Sequence, residues 1–145
     1  CGAVPVVAGP AATPADIALV KGWFSRFSLP VDVNEADIRV ASNVAGSAIA
    51  VLALFARAFA SANAARTDAI SPTALDMMIA ESLIATGELL RQGHSYETII
   101  DSTATPLGVT EALMRPLAEV APDVCVRMVE AGFVRQSELQ SDSES

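Results

Sequence analysis

The chain has 145 residues, 52% of them apolar and 18% charged, with a net charge of −8 and a mean hydropathy of +0.43. That length gives one domain with enough chain for a core. The acidic balance, without any stripe of lysine and arginine, excludes a nucleic-acid binder, because phosphates must be neutralised by cations.

Residues Ala3–Ala8 (AVPVVA) predict a short strand, and residues 1–12 together form a strand and its connector. The start is apolar but lacks a basic leading segment, so no signal peptide is expected. Thr13, Pro14 and Asp16 mark a helix start, followed by Ile17, Val20, Trp23, Phe24 and Phe27 at helical spacing. Leu29–Val33 is a short extended piece. Asn34 then caps a helix with Glu35 and Asp37 in its first turn, where the dipole favours acid.

The segment Gly46–Arg66 is apolar on nearly all faces, which predicts a helix inside a bundle. The uncharged run Val40–Ala56 falls just short of a membrane span and is polar in its first half, so a buried helix is expected. Thr67–Ser71 is a turn, and Ser71-Pro72 opens a helix to about Gln92. Leu75, Met78, Ile79, Leu83, Thr86, Leu89 and Leu90 form its stripe, and Gly93 stops it. Ser95–Ser102 is a short helix. Pro116 is expected to kink or end the next one. Pro122–Leu139 forms the last helix, and residues 140–145 a polar, frayed tail.

These elements define an all-α helical bundle over residues 13–139, preceded by one short strand. Its excess of apolar helix faces points to an obligate oligomer. Two cysteines, Cys1 and Cys125, and the single His94 lack metal or redox spacing, which leaves no metal site and fits a reducing cytoplasm. Cys125 reads as a small buried residue, Met77, Met78, Met114 and Met128 as core fillers, His94 as an exposed turn residue. Glu81 belongs on a solvated face and, if buried, would need a partner such as Arg57.

The stretch Asp101–Leu113 (DSTATPLGVTEAL) carries the chemistry. Thr105 is a candidate N-cap with Pro106 at the first helical position. The amides from Leu107 to Thr110 would then point unpaired from a helix start, where a carboxylate or phosphate is favoured. Simple capping of an ordinary helix is the plainer alternative.

This turn resembles the Ser-Pro-Gly-Gly-Thr-Thr segment of pyrroline-5-carboxylate reductases, with Pro106, Gly108 and Thr110 retained and Leu107 and Val109 departing. The resemblance runs from Val4 to Leu139. PVDVNEADI is similar to the family's Val-x-Val-x-Glu-x-x-x-Asp link. Gly46-Ser47-Ala48-Ile49-Ala50 stands where the family has Gly-Ser-Gly-Pro-Ala. Ala74–Leu90 and Gly93–Asp101 follow its long helix and glycine stop, and Val129-Glu130-Ala131, Arg135 and Glu138-Leu139 its final helix.

The resemblance implies an interleaved dimer and a substrate carboxylate held by Thr105, Gly108, Val109 and Thr110. It makes Thr110 the catalytic candidate, its hydroxyl at the imine nitrogen, with Gly46, Ser47 and Asn43 on the opposite wall. For Asn43 and Ser47, polar groups satisfied inside the bundle are the plainer reading. Leu107 and Val109 would make the pocket greasier and favour a different substrate.

No GxGxxG, alternating β-α stretch or acidic ribose reader is visible, so no cofactor is expected in this chain. NAD(P)H is expected only if an N-terminal nucleotide-binding domain exists. The chain is then either a C-terminal fragment of a reductase, which its orphan strand favours, or a stand-alone protein, which the altered turn favours. Three functions follow: the oligomerisation and substrate-binding domain of an NAD(P)H-dependent imine reductase, a stand-alone dimer that binds a small carboxylate without redox chemistry, or a purely structural dimerisation module. The expected partners are a second copy and a small carboxylate or cyclic imino acid, with no nucleic acid and no membrane.

Overall fold

The computed structural model describes residues 2–143, and Cys1 lies outside them. In chain order these form β1 (Ala3–Val6), α1 (Pro14–Phe24), β2 (Leu29–Asp32), a 3-10 turn (Glu35–Asp37), α2 (Ile38–Ser42), a π turn (Asn43–Ser47), α3 (Ala48–Ala64), α4 (Pro72–Arg91), α5 (Tyr96–Thr103) and α6 (Val109–Ser143). They fall into two compact units, residues 2–54 with 132–143, and residues 55–131.

In the first unit β1 is not an orphan. It pairs in parallel with β2, Ala3 opposite Leu29 and Val6 opposite Asp32. The connection is α1, so β1-α1-β2 is an alternating β-α stretch that the sequence pattern concealed. Four-residue strands are too short for a period-2 signal to separate them from loop. Thr13 caps α1 through a full capping box: its hydroxyl accepts from the Asp16 amide at 3.3 Å, and the Asp16 carboxylate accepts from the Thr13 amide at 2.9 Å. Bonds from the Thr13 hydroxyl and amide hold the Asp16 carboxyl below its ordinary range.

Ile17, Val20 and Phe24 are half-buried, whereas Trp23 and Phe27 of the same stripe are exposed. Lys21 reaches across to Asp32 as an ion pair. Asn34 stands at the start of the 3-10 turn without a side-chain cap bond, so the expected cap there is absent. The Asn43 amide group lies 3.7 and 3.8 Å from where a Cβ on Gly132 would stand. That is ordinary van der Waals distance, so α6 lies beside the π turn there without requiring glycine. Arg39 donates to Gln140 near the end of α6.

In the second unit Ser71 caps α4, accepting from the Ala74 amide at 3.2 Å, with Pro72 at the first position. Gly93 ends α4 with φ +90°. Its amide donates to Leu90 and that of His94 to Leu89, the paired bonds of a Schellman stop. Ser95 then caps α5, and the Glu97 carboxyl is held below its ordinary range by its own amide and the Ser95 hydroxyl.

The last helix differs from expectation. Pro116 neither ends nor divides it: α6 runs unbroken for 35 residues, through Pro116 and Pro122, as far as Ser143. The carbonyls left without helical donors belong to Ala112 and Ala118, both exposed, where water can serve them.

The expectation of a buried α3 also meets a correction. Among the described residues Ala60, at 8% exposure, is the only buried apolar one, while Leu52, Leu54, Phe55 and Phe59 are all exposed. Met77, Met78 and Met128 are exposed rather than core, as is Cys125. Glu81 is exposed. Among the described residues these apolar side chains of α3 stay exposed. The helical run Glu35–Ala64, with a mean hydropathy of 1.8 in its most apolar window, is long and apolar enough to cross a membrane by length and composition. The core helices of soluble proteins meet the same criterion.

Candidate functional site

Thr105, Gly108, Val109 and Thr110 come together in one turn between α5 and α6, within the second unit. The geometry differs from a capped helix start. Thr105 is not the cap and Pro106 is not in the helix. Instead Thr105-Pro106-Leu107-Gly108 is a β-turn closed by the Gly108 amide donating to the Thr105 carbonyl at 2.8 Å. Proline at the second position and positive φ at the third, where Leu107 has φ +61°, define a type II turn.

Gly108 stands at the helix boundary, its carbonyl accepting the first helical bond from Ala112 at 3.2 Å. A Cβ there would sit 2.7 Å from the Thr105 carbonyl oxygen, so the turn closes only over glycine. Pro106 and Gly108 thus have physical reasons to stand where they do. Leu107 has none of that kind. Its left-handed backbone suits glycine, and its side chain is 95% exposed.

The four-amide anion cradle is reduced. Gly108's amide is spent in the turn, and the Leu107 amide donates to Glu111 Oε2 at 2.6 Å. Glu111 Oε1 also lies 3.7 Å from Arg115. Glu111 was not among the expected site residues, although an acid three positions beyond a cap is a known signature. Three amides, those of Val109, Thr110 and Glu111, emerge from the start of α6 without an acceptor among the described residues, the first two belonging to the expected cradle. Thr110 is half-buried, and its hydroxyl has no partner among them.

Gly46 and Ser47 lie in the π turn of the first unit, both exposed, and Gly46 has open space where a Cβ would stand. Asn43 begins that turn, half-buried.

The β1-α1-β2 unit has the chain order of units that hold a dinucleotide. A crevice at the carboxyl ends of its strands is lined by Val6, Ala8, Ile17, Asp32, Val33 and Asn34, the place where such sheets bind ligands. Asp32 ends β2, where an acidic ribose reader would stand, but it is held by Lys21. The α1 start, which would face the pyrophosphate, carries Thr13 and the Asp16 carboxylate instead. The residues present do not fit a dinucleotide phosphate.

Long helices with uncovered apolar faces, preceded by a two-stranded sheet, make this an all-α dimerisation domain. The sequence matches the family described as pyrroline-5-carboxylate reductase dimerisation over residues 35–139, and the chain belongs to that family. A crystal structure of Plasmodium falciparum pyrroline carboxylate reductase with NADP bound shares the fold, with a TM-score of 0.73 and 17% sequence identity. The likeness covers 88% of this chain and 50% of that one, so this chain spans half the length of that reductase. A search of curated proteins gives no match.

Proposed function

We propose that this chain is the oligomerisation and substrate-binding domain of a pyrroline-5-carboxylate reductase-like, NAD(P)H-dependent oxidoreductase of the cytoplasm. It works as a homodimer, without a nucleic-acid or membrane partner. The observation that carries this reading is the turn Thr105–Gly108 opening α6, which leaves the Val109 and Thr110 amides without a backbone acceptor among the described residues, in a chain of this family.

The substrate is a cyclic imino acid. Its carboxylate takes charge-assisted bonds from the Val109 and Thr110 amides, aided by the dipole of α6. Gly108 keeps the approach to these amides free of a side chain. The Thr110 hydroxyl reaches the imine nitrogen and assists proton delivery there. Thr105 sets the turn through its carbonyl, and Gly46 and Ser47 of a second copy form the opposite wall. NAD(P)H, held by a nucleotide-binding domain outside these residues, supplies the hydride; this chain alone holds no cofactor.

The test is a titration of the purified chain with proline, followed by amide shifts. Shifts at Val109 and Thr110, weakened by Thr110→Val at unchanged melting temperature, support the site. A large stability loss with unchanged binding reduces Thr110 to a structural role. Micromolar binding of NADPH by the chain alone would reveal a missed site.

One observation favours a second reading. Leu107 and Val109 replace a glycine and a threonine of the family's segment, and Glu111 already occupies the Leu107 amide. A stand-alone dimer that binds a different small carboxylate without redox chemistry fits these changes, and the same titration with other carboxylates separates the two.

A further inference from the structure

The turn that opens α6 has no cation of its own. From Asp101 to Met114 the sequence carries no lysine, arginine or histidine, and its charged residues are Asp101 and Glu111. Glu111 folds back over the helix start, its Oε2 accepting from the Leu107 amide at 2.6 Å. Two residues of chain span at most about 7 Å, so this carboxylate stands within roughly 10 Å of the Val109 amide. That is roughly one Debye length in 0.1 M salt. Arg115 lies 3.7 Å from the other carboxylate oxygen, but its side chain is 67% exposed, so water screens the pair.

We propose that Glu111 is a specificity-determining residue, which makes this helix start prefer a ligand whose carboxylate is joined to a cationic nitrogen over a bare carboxylate or a phosphate. The inference rests on the substrate-site reading above and names the charge that its ligand must carry.

The amides and the acid act on different parts of the ligand. A carboxylate takes the free Val109 and Thr110 amides, and the dipole of α6 favours it there. That places one negative charge near another, in a turn with no cation to offset it. A positive nitrogen on the carbon next to the ligand's carboxylate cancels this repulsion and is itself attracted to Glu111. A phosphate dianion increases the repulsion and brings nothing to cancel it. The same carboxylate holds the left-handed Leu107, so charge selection and turn geometry depend on one side chain.

The experiment is a titration of the purified chain, followed by the amide shifts of Val109 and Thr110. The probes are proline, inorganic phosphate and cyclopentanecarboxylate, the last having proline's ring with carbon in place of nitrogen. The unmodified chain binds proline more tightly than cyclopentanecarboxylate by roughly threefold to fivefold, the size of a partly exposed charge pair. Glu111→Gln removes the charge but keeps an oxygen to accept from the Leu107 amide. It brings the two affinities together, weakening proline and tightening cyclopentanecarboxylate, and it tightens phosphate. A preference for proline that survives Glu111→Gln, or none in the unmodified chain, overturns the proposal while the carboxylate site stands. Should Glu111→Gln lower the melting temperature, Leu107→Gly with Glu111→Gln decides, because glycine needs no bond to hold a left-handed backbone. A preference still lost in that double variant supports the role of the charge, and one regained overturns it. If neither proline nor cyclopentanecarboxylate shifts Val109 and Thr110 in any variant, the substrate site itself falls and this inference with it.

Discussion

Among the described residues two place their backbone in the left-handed region, and they do so by opposite means. Gly93, at φ +90°, ends α4 with both Schellman bonds and no side chain to accommodate. Leu107, at φ +61°, sits four residues after the end of α5 and two before α6 begins. A leucine there costs roughly 1–2 kcal/mol relative to a right-handed backbone. The turn offsets this with the Glu111 carboxylate on the Leu107 amide and with Gly108, which lets the closing bond form. The Gly93 turn is shaped by what its residue lacks. The Leu107 turn is held by what surrounds it, and that is the turn with the candidate site.

The largest effect should come from Gly108→Val. Its Cβ would meet the Thr105 carbonyl oxygen at 2.7 Å, and backbone cannot yield as a flexible side chain does. Overpacking of this kind costs about 2 kcal/mol or more in urea unfolding at fixed protein concentration. A loss below the experimental scatter would mean the turn can open without consequence.

Gly93→Val comes next. No atom lies within 4 Å of the added Cβ, so the cost is conformational alone, about 1–2 kcal/mol. Equal losses at Gly93 and Gly108 on substitution by alanine would erase the distinction between a strained backbone and a clash.

Leu107→Gly should act in the opposite direction. It relieves the left-handed leucine but loosens the unfolded chain, leaving a net gain of up to about 1 kcal/mol. A loss of stability would show that the exposed leucine has a partner in the assembled protein.

The smallest effect is the pH dependence of the Gly93 turn. The Glu97 carboxyl just beyond it is held below its ordinary range by its own amide and the Ser95 hydroxyl. Its contribution is complete above the unfolded value, and it is lost as pH falls through the lower, folded one. Glu97→Gln should flatten this part of the acid profile. An unchanged profile would assign the acid sensitivity to other carboxyls.

What the sequence revealed followed from how locally each feature is decided. The Thr13–Asp16 box, the Ser71-Pro72 start and the Gly93 stop each depend on residues within one turn, and each stands where expected. Thr105-Pro106 was harder, because a proline that opens a helix and one that opens a type II turn carry the same dipeptide. The glycine two places later, pressed against Thr105, decides between them. Pro116 and Pro122 mislead because their penalty is local, whereas a helix of 35 residues is held by everything along it. The pairing of β1 with β2 is separated in sequence by α1 and so leaves no local trace. The exposure of α3 is of another kind: its apolar pattern is plain, but the pattern does not say whose chain covers it.

The two-stranded sheet limits its own growth. Leu29 donates to the Gly2 carbonyl and Val33 to that of Val6, so in parallel geometry alternate residues of each strand face the other. Pro5 and Pro30 fall at the remaining positions, on opposite outer borders. Each border therefore presents a missing donor at its middle, where an incoming strand would need one. Prolines so placed act as a guard against chain-to-chain strand addition. Replacing Pro5 or Pro30 by valine would open a seam for aggregation while leaving the native pair untouched.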